Sequence, residues 1–424
     1  MSFLRRRLVT AALTANALQP LPGRGGVLSF FPGWLTSELA PHLLGFTAVD
    51  TLVAARRGRT SGPGLALAAV SAAGLVRMIQ QARQVGDVLE EALVEGLGGV
   101  DYVEQLDAAP TPAELATPWR QVARPFRFGE PGVRVEKDIA YSEYGRRGHL
   151  DIYLPDVDDL EGAPVLLQVH GGGWTVGRKD QQGLPLMYRM AAKGWVCVAI
   201  NYRLAPRNPF PAHIVDVKTA VAWIREHIAA YGGDPGYLAI TGGSAGGHLA
   251  ALAAVTPNDP AFQPGFEEAD TSIQAAVPIY GVYDFCGASG LPSAVAMRDS
   301  FLAPRVLQTR FEDDPHPFEQ ASPLFHVGPD SPDFFVLHGT HDTLVDVRQA
   351  RTFVQRLREV SRGRVVYAEL PGAQHAFEIF HSIRGAHAVR AIDRFLTWSW
   401  NGHRLAGETA TPSSSEAGSE TGPG

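Results

Sequence analysis

From Gly132 onward the chain alternates between two patterns, and that alternation restricts the fold more than any other feature. Short runs rich in β-branched and aromatic residues occur at VRVEKDIAYS, HLDIYLP, PVLLQVH, WVCVAIN, GYLAIT, QAAVPIY, DFFVLHG and RVVYAEL. Several are apolar at almost every position, as strands covered on both faces are. Between them lie helical stripes. After Pro211, Ile214, Val217, Val221, Ile224 and Ile228 recur at spacings of three and four, and 347–360 and 386–398 repeat the pattern. Strands alternating with helices predict an α/β fold with a mostly parallel eight-stranded sheet flanked by helices. The first two runs lie too close together for a crossover helix, which predicts an antiparallel edge.

One junction in this series is chemically unusual. GYLAIT reads as a strand and AGGHLAALAAV as a helix, and between them stands Ser244 in GGSAGG. Glycine in a regular element costs about 0.5–1 kcal/mol relative to alanine, so a cluster of them needs a steric reason. A G-x-S-x-G sequence at a strand-to-helix turn reads as a nucleophile elbow, in which Gly242 and Gly246 remove side chains that would strike neighbouring strands. In isolation the same letters could be a plain glycine turn; the flanking strand and helix favour the elbow. His248 lies one helical turn on, on the helix body, and reads as structural.

A serine hydroxyl needs a base, and the base needs an orienting carboxylate. In a fold of this kind the order is Ser, then Asp or Glu, then His, each on a loop after a strand. DFFVLHG is followed by Asp342 and Asp346. Asp346 precedes VRQARTFVQRL and reads as its N-cap, which leaves Asp342 as the acid. RVVYAEL is followed by His375. His338 and His341 read as background. After the third strand, HGGGW supplies Gly172 and Gly173, whose N–H groups, with that of Ala245, are placed to meet an oxyanion. His170 reads as a loop anchor. Trp174 and Tyr202 are candidates for lining the substrate pocket.

Composition narrows the partners. The 424 residues carry a net charge of −7 without a large basic block, which argues against nucleic acid. Cys197 and Cys286 are the only cysteines and form no metal or redox spacing. There is no H-E-x-x-H motif either, so neither a metal nor a cofactor is expected.

The ends differ from the middle. Residues 1–100 read as an apolar helical extension, 101–131 as a cap or connecting segment, 132–403 as the catalytic domain, and 404–424, without large apolar residues, as a disordered tail. The segments 103–132 and 281–320 are candidate lids over the pocket. MSFLRRRLVTAALTANA resembles both an export signal and a basic amphipathic helix. Sixteen uncharged residues, Ser61 to Val76, fall short of the roughly 20 needed to cross a bilayer. The N-terminal region therefore reads either as membrane-associated or as helices packed on the domain or on another subunit. Localisation stays open between cytoplasm and membrane, as does oligomeric state.

On HGGGW (170–174), NYRLAP (201–206), GGSAGG (242–247), SPL (322–324), HGTHDTLV (338–345) and PGAQHAF (371–377), the chain resembles the α/β-hydrolase superfamily. Within it, the likeness is to the hormone-sensitive-lipase-like carboxylesterases. HGGGW followed by GGSAGGHLAAL is also similar to the bacterial feruloyl- and acetyl-xylan-esterase-like branch. The resemblance runs from Gly132 to Asn401. It implies an α/β-hydrolase fold with an N-terminal helical extension and cap, Ser244, Asp342 and His375 as the triad, and Gly172, Gly173 and Ala245 as oxyanion donors. It further implies hydrolysis of small-molecule esters, with short to medium acyl chains as the default, and no cofactor. HGGGW loops also occur in formamidases that resemble kynurenine formamidase, so aryl formamides are the alternative substrate; a non-catalytic binding protein on the same scaffold is the remaining reading. Two departures stand out. Gly243 precedes the serine where many members carry an acidic residue, and the first hundred residues match none of the motifs. Some members carry an N-terminal membrane anchor.

Overall fold

All eight expected strands form, and they join one sheet. In the computed structural model, which describes residues 1–21 and 23–410, these are β1 (Val133–Ala140), β2 (His149–Pro155), β3 (Ala163–Val169), β4 (Val196–Ile200), β5 (Gly233–Gly243), β6 (Ala275–Ile279), β7 (Asp333–Gly339) and β8 (Val365–Leu370). Their spatial order is β1-β2-β4-β3-β5-β6-β7-β8. β2 is antiparallel to both neighbours, and the remaining pairs are parallel.

The reason for the all-apolar strands is visible in the packing. Val165, Leu167 and Val169 of β3 face one buried cluster and Leu166 faces the other, so the central strand is covered on both sides. After β3 the chain adds β4 on one side and then crosses to place β5 on the other. The carboxyl ends of β3 and β5 therefore flank the point where the winding reverses, which is where open α/β sheets bind ligands.

Nine of the helices among the described residues surround the sheet and the site. Four lie before the sheet: α1 (Phe3–Leu18), α2 (Gly26–Glu38), α3 (Ala40–Arg56) and α4 (Gly62–Leu97). Five follow: α5 (Leu184–Ala192), α6 (Ala212–His227), α7 (Ala245–Val255), α8 (Val347–Val360) and α9 (Ile383–Ala410). The basic N-terminal segment is thus a helix, α1, and it packs on α4, where a Cβ at Gly74 would stand 2.5 Å from Thr14 Cγ2.

Two boundaries differ from those expected. α4 belongs to both sides of the line at residue 100: Val85, Leu89, Leu93 and Leu97 are buried in the same cluster as β8 and α9. Small residues allow this approach, since a Cβ at Gly96 would stand 2.7 Å from the Val366 backbone. At the other end, α9 continues to Ala410, seven residues beyond the expected end of the folded domain. Each added helical residue gains a backbone hydrogen bond, and composition alone underweights that. Residues 411–424, expected to be disordered, lie outside the described residues.

Candidate active site

Ser244 sits where β5 meets α7, with φ 59° and ψ −121°. A non-glycine residue at positive φ is strained, and such strain persists only where the surroundings enforce it. Here the enforcement is a tight crossing. Cβ atoms at Gly242 and Gly246 would stand 2.5 and 2.1 Å from the Val169 carbonyl oxygen of β3. The Ser244 N–H is tied to Ile279 O at 2.9 Å. The hydroxyl itself makes no hydrogen bond among the described residues and is partly exposed.

The loop after β3 lies directly against the serine: a Cβ at Gly171 would stand 3.2 Å from Ser244 Cβ. Gly171 N–H is spent on Gln182 Oε1 at 2.7 Å. Gly172 (φ 118°) and Gly173 (φ 57°) turn the backbone, and the Gly172 carbonyl accepts from Thr175 and Val176. The N–H groups of Gly172, Gly173 and Ala245 have no partner among the described residues, so three donors remain free beside the hydroxyl.

Trp174 and Tyr202, expected at the pocket, are turned into the core instead of toward solvent. Both are buried, at 3% and 0% exposure. Trp174 Nε1 donates to His248 Nδ1 at 3.1 Å, and His248 Nε2 faces Ala321 O at 2.7 Å. These partners require the Nε2–H tautomer, and burial pushes the imidazole down to about 3, so His248 is a neutral anchor. The Tyr202 hydroxyl donates to His170 O at 2.9 Å, with its ring stacked on the His170 ring at 4.3 Å.

His375 and Asp342 meet. His375 Nδ1 donates to Asp342 Oδ2 at 2.7 Å. Asp342 Oδ1 accepts from Leu344 N–H and Val345 N–H at 2.8 and 2.9 Å. His338 Nε2 adds a contact to Oδ2 at 3.2 Å. Burial pushes the Asp342 carboxyl up, but the adjoining His375 and His338 donors outweigh it and hold the group well below the usual carboxylate range. Asp346 caps α8, accepting from Arg348 N–H at 3.0 Å, and takes no part.

Three participants were not singled out in the sequence. His338, read as background, touches the acid; its place four residues before Asp342 on the end of β7 was the available signal. Gln374 Oε1 accepts from Thr343 N–H at 2.8 Å and His375 N–H at 2.9 Å, joining the acid and base loops. Tyr280, after β6, carries its ring 4.3 Å from that of His375. His375 Nε2, like the serine hydroxyl, has no hydrogen bond among the described residues. Such bonds often tighten only once substrate is present.

The roof comes chiefly from the N-terminal helices. Phe30 of α2 meets His375 edge-on at 5.9 Å, and Trp34 stacks on Phe30. Thr343 Oγ1 donates to Gly26 O at 3.0 Å, and His341 Nδ1 lies 3.3 Å from Ala17 O. Arg384 of α9 pairs with Glu38 of α2, both fully buried. Of the two candidate lids, 281–320 reaches the site, with Phe301 against Gly173. The segment 103–132 reaches only its outer edge, through Phe126 on Phe380. Among the described residues no three His, Cys, Asp or Glu side chains are grouped as a metal ion would need.

Known proteins resemble this chain over most of its length. The BD-FAE family model matches residues 150–357. The chain is 47% identical over 404 residues to the probable carboxylic ester hydrolase LipM of Mycobacterium tuberculosis, covering 92% of this chain and 91% of that protein. It is 41% identical to esterase LipQ of the same organism, covering 89% and 86%. Among solved structures, esterase B from Lactobacillus rhamnosis superposes with a TM-score of 0.54 at 17% identity, over 68% of this chain and 93% of that one, a likeness of fold.

Proposed function

The chain belongs to the hormone-sensitive-lipase-like carboxylesterases of the α/β-hydrolase fold, enzymes of small-molecule esters, and from that premise we propose that Ser244, His375 and Asp342 are its nucleophile, base and orienting acid. The observation that carries the reading is a serine on a strained elbow, beside three unpartnered N–H groups, with an Asp-held imidazole on the neighbouring loops.

In this mechanism the Ser244 hydroxyl attacks the ester carbonyl carbon as His375 Nε2 takes its proton. The carbonyl oxygen becomes an oxyanion and accepts from Gly172, Gly173 and Ala245 N–H. Losing one such donor typically costs about 10²–10³ in kcat. Asp342 holds the proton on His375 Nδ1, which leaves the Nε2 lone pair facing outward. Collapse breaks the ester C–O bond, and the imidazolium protonates the departing alcohol. Water, deprotonated by His375, then attacks the acyl-enzyme, and its collapse returns the proton to Ser244 and frees the acid. Bulky rings stand against the base and the glycine loop, Phe30 on His375 and Phe301 on Gly173, which supports short to medium acyl chains. The test is p-nitrophenyl ester hydrolysis across chain lengths with Ser244→Ala alongside. Turnover and fluorophosphonate labelling should both vanish in the variant; undiminished turnover would sink the assignment.

A second part of the reading concerns residues 1–100, which we assign to a membrane surface. Leu28, Phe31, Phe46, Val49, Leu52 and Val70 are all more than half exposed. The first 86 residues hold nine arginines and two acidic residues, while the remaining 338 hold 28 basic and 42 acidic. Both N-terminal acids are engaged, Asp50 with Arg6 and Arg7 and Glu38 with Arg384. Exposed apolar helices with unopposed arginines suit the interface of an anionic bilayer. α4 is long and apolar enough to cross a membrane, but its second half is buried in the catalytic core, which favours lying on the surface. Sedimentation with phosphatidylglycerol vesicles, but not with phosphatidylcholine vesicles, is expected; equal indifference to both would refute this part.

A further inference from the structure

One buried side chain touches both halves of the catalytic apparatus, and it has no part in the steps above. Tyr280 follows β6 directly, is 1% exposed, and has φ 40°, a strained value for a residue with a side chain. Its backbone is held by a 2.7 Å bond from its N–H to Leu337 O. Its ring lies against the His375 ring, centroids 4.3 Å apart at 48°. Its hydroxyl oxygen occupies the place beside the elbow where a side chain at 243 would go: a Cβ at Gly243 would stand 2.6 Å from it. That hydroxyl donates to Glu378 Oε2.

Glu378 is itself buried, at 6% exposure, three residues past His375. A carboxyl there costs free energy unless its bonds are made. Burial raises its pKa, with Tyr280 as its side-chain partner. Among the described residues no cation pairs with it, and Arg384, six residues on, is paired with Glu38 of α2. Asp342 already serves the far edge of the imidazole. A costly buried carboxyl, a strained tyrosine and a glycine required by that tyrosine's hydroxyl thus converge between nucleophile and base.

We propose that Tyr280 and Glu378 form a positioning pair that sets the separation of Ser244 and His375. The Tyr280 ring is the platform on which the imidazole lies, and Glu378, by fixing the hydroxyl against Gly243, locks that platform to the elbow. The pair acts through hydrogen bonding and packing; it neither contacts the ester nor transfers a proton. This rests on the triad assignment above. Ser244→Ala, measured alongside, keeps the two separable.

The test compares Tyr280→Phe, Glu378→Gln and Glu378→Leu with wild type and Ser244→Ala, each normalised to folded protein by thermal melt. Misplacing a catalytic group by an ångström costs about 10²-fold, so Y280F and E378L should lose about 10–100-fold in kcat with KM changed less than about twofold. E378Q keeps an acceptor for the tyrosine hydroxyl and should stay within about threefold of wild type. Unchanged kcat in folded Y280F, or E378Q falling as far as E378L, overturns the proposal. If Y280F does not fold, the E378Q and E378L comparison decides it. An active S244A would instead overturn the triad, whereas an inactive S244A beside an unaffected Y280F would overturn the positioning pair alone.

Discussion

Replacing Asp342 with asparagine changes one atom, and the structure says which way the new amide must face. Asp342 Oδ1 accepts two backbone N–H groups, from Leu344 and Val345, while Oδ2 faces His375 Nδ1. The amide oxygen will take the Oδ1 position, because the reverse orientation points its NH₂ at two fixed donors and forfeits two hydrogen bonds. Each buried donor left unsatisfied costs about 1–3 kcal/mol. The NH₂ group then faces His375 Nδ1, which can answer only as an acceptor. The imidazole proton moves to Nε2, and the lone pair that should receive the Ser244 proton is gone. A triad base in the wrong tautomer loses about 10⁴ in kcat, or about 5 kcal/mol of transition-state stabilisation. Steady-state hydrolysis of p-nitrophenyl acetate, with folded enzyme quantified by thermal melt, measures this directly. Nitrogen-15 shifts of the histidine ring report the tautomer. Asp346→Asn is the control, because Asp346 caps α8 and holds Arg348 and Ser293 without touching His375, and asparagine caps as well. The reasoning fails if D342N keeps more than about a tenth of wild-type kcat, or if D346N falls as far.

Further outcomes follow from other contacts. Gly246→Ala places a Cβ 2.1 Å from Val169 O; backbone cannot yield cheaply there, so a loss of about 1–3 kcal/mol or more in urea denaturation is expected, together with loss of activity. Arg384→Met strands Glu38 as an unpaired buried charge. A cost of about 3–5 kcal/mol should appear, with faster hydrogen exchange in α2 than in β5; equal exchange would argue that α2 is held by other contacts. Asp342 has a depressed folded pKa, so its stabilisation is present above the unfolded value of about 3.9 and is lost as pH falls below it. Stability measured from pH 7 to pH 3 should therefore fall less steeply in D342N than in wild type. Matched p-nitrophenyl esters and formanilides should be turned over in favour of the esters, and a formanilide preference would reassign the substrate class.

Much of the catalytic domain was legible because its signals are local. A strand buried on both faces must be apolar throughout, so β3, β4 and β6 announce themselves in PVLLQVH, WVCVAIN and QAAVPIY. The elbow is equally local: Gly242 and Gly246 are needed within two residues of Ser244, whatever the rest of the chain does. Asp342 and His375 could be picked out because each follows a recognisable strand, and the competing Asp346 carried its own capping signature. The burial of Trp174 and Tyr202 was not legible, for the opposite reason. Neighbourhood in sequence put them near the site, but whether an aromatic ring turns toward solvent or into the core depends on His248, Phe285 and His170, which arrive from distant segments.

What the amino-acid order determined alone was the sheet, the elbow and the choice of the three groups proposed for the chemistry. Tertiary structure decided what surrounds them. Nothing in residues 1–38 says that Phe30 will stand against His375, that Glu38 will find Arg384, or that α4 will lend its second half to the core. Nor does Tyr280 look different from any other aromatic residue after an apolar run until Gly243, His375 and Glu378 are brought around it. Periodicity and steric exclusion act over a few residues and are written in the chain. Contacts between segments hundreds of residues apart depend on how the packed layers close, and only the folded molecule holds that information.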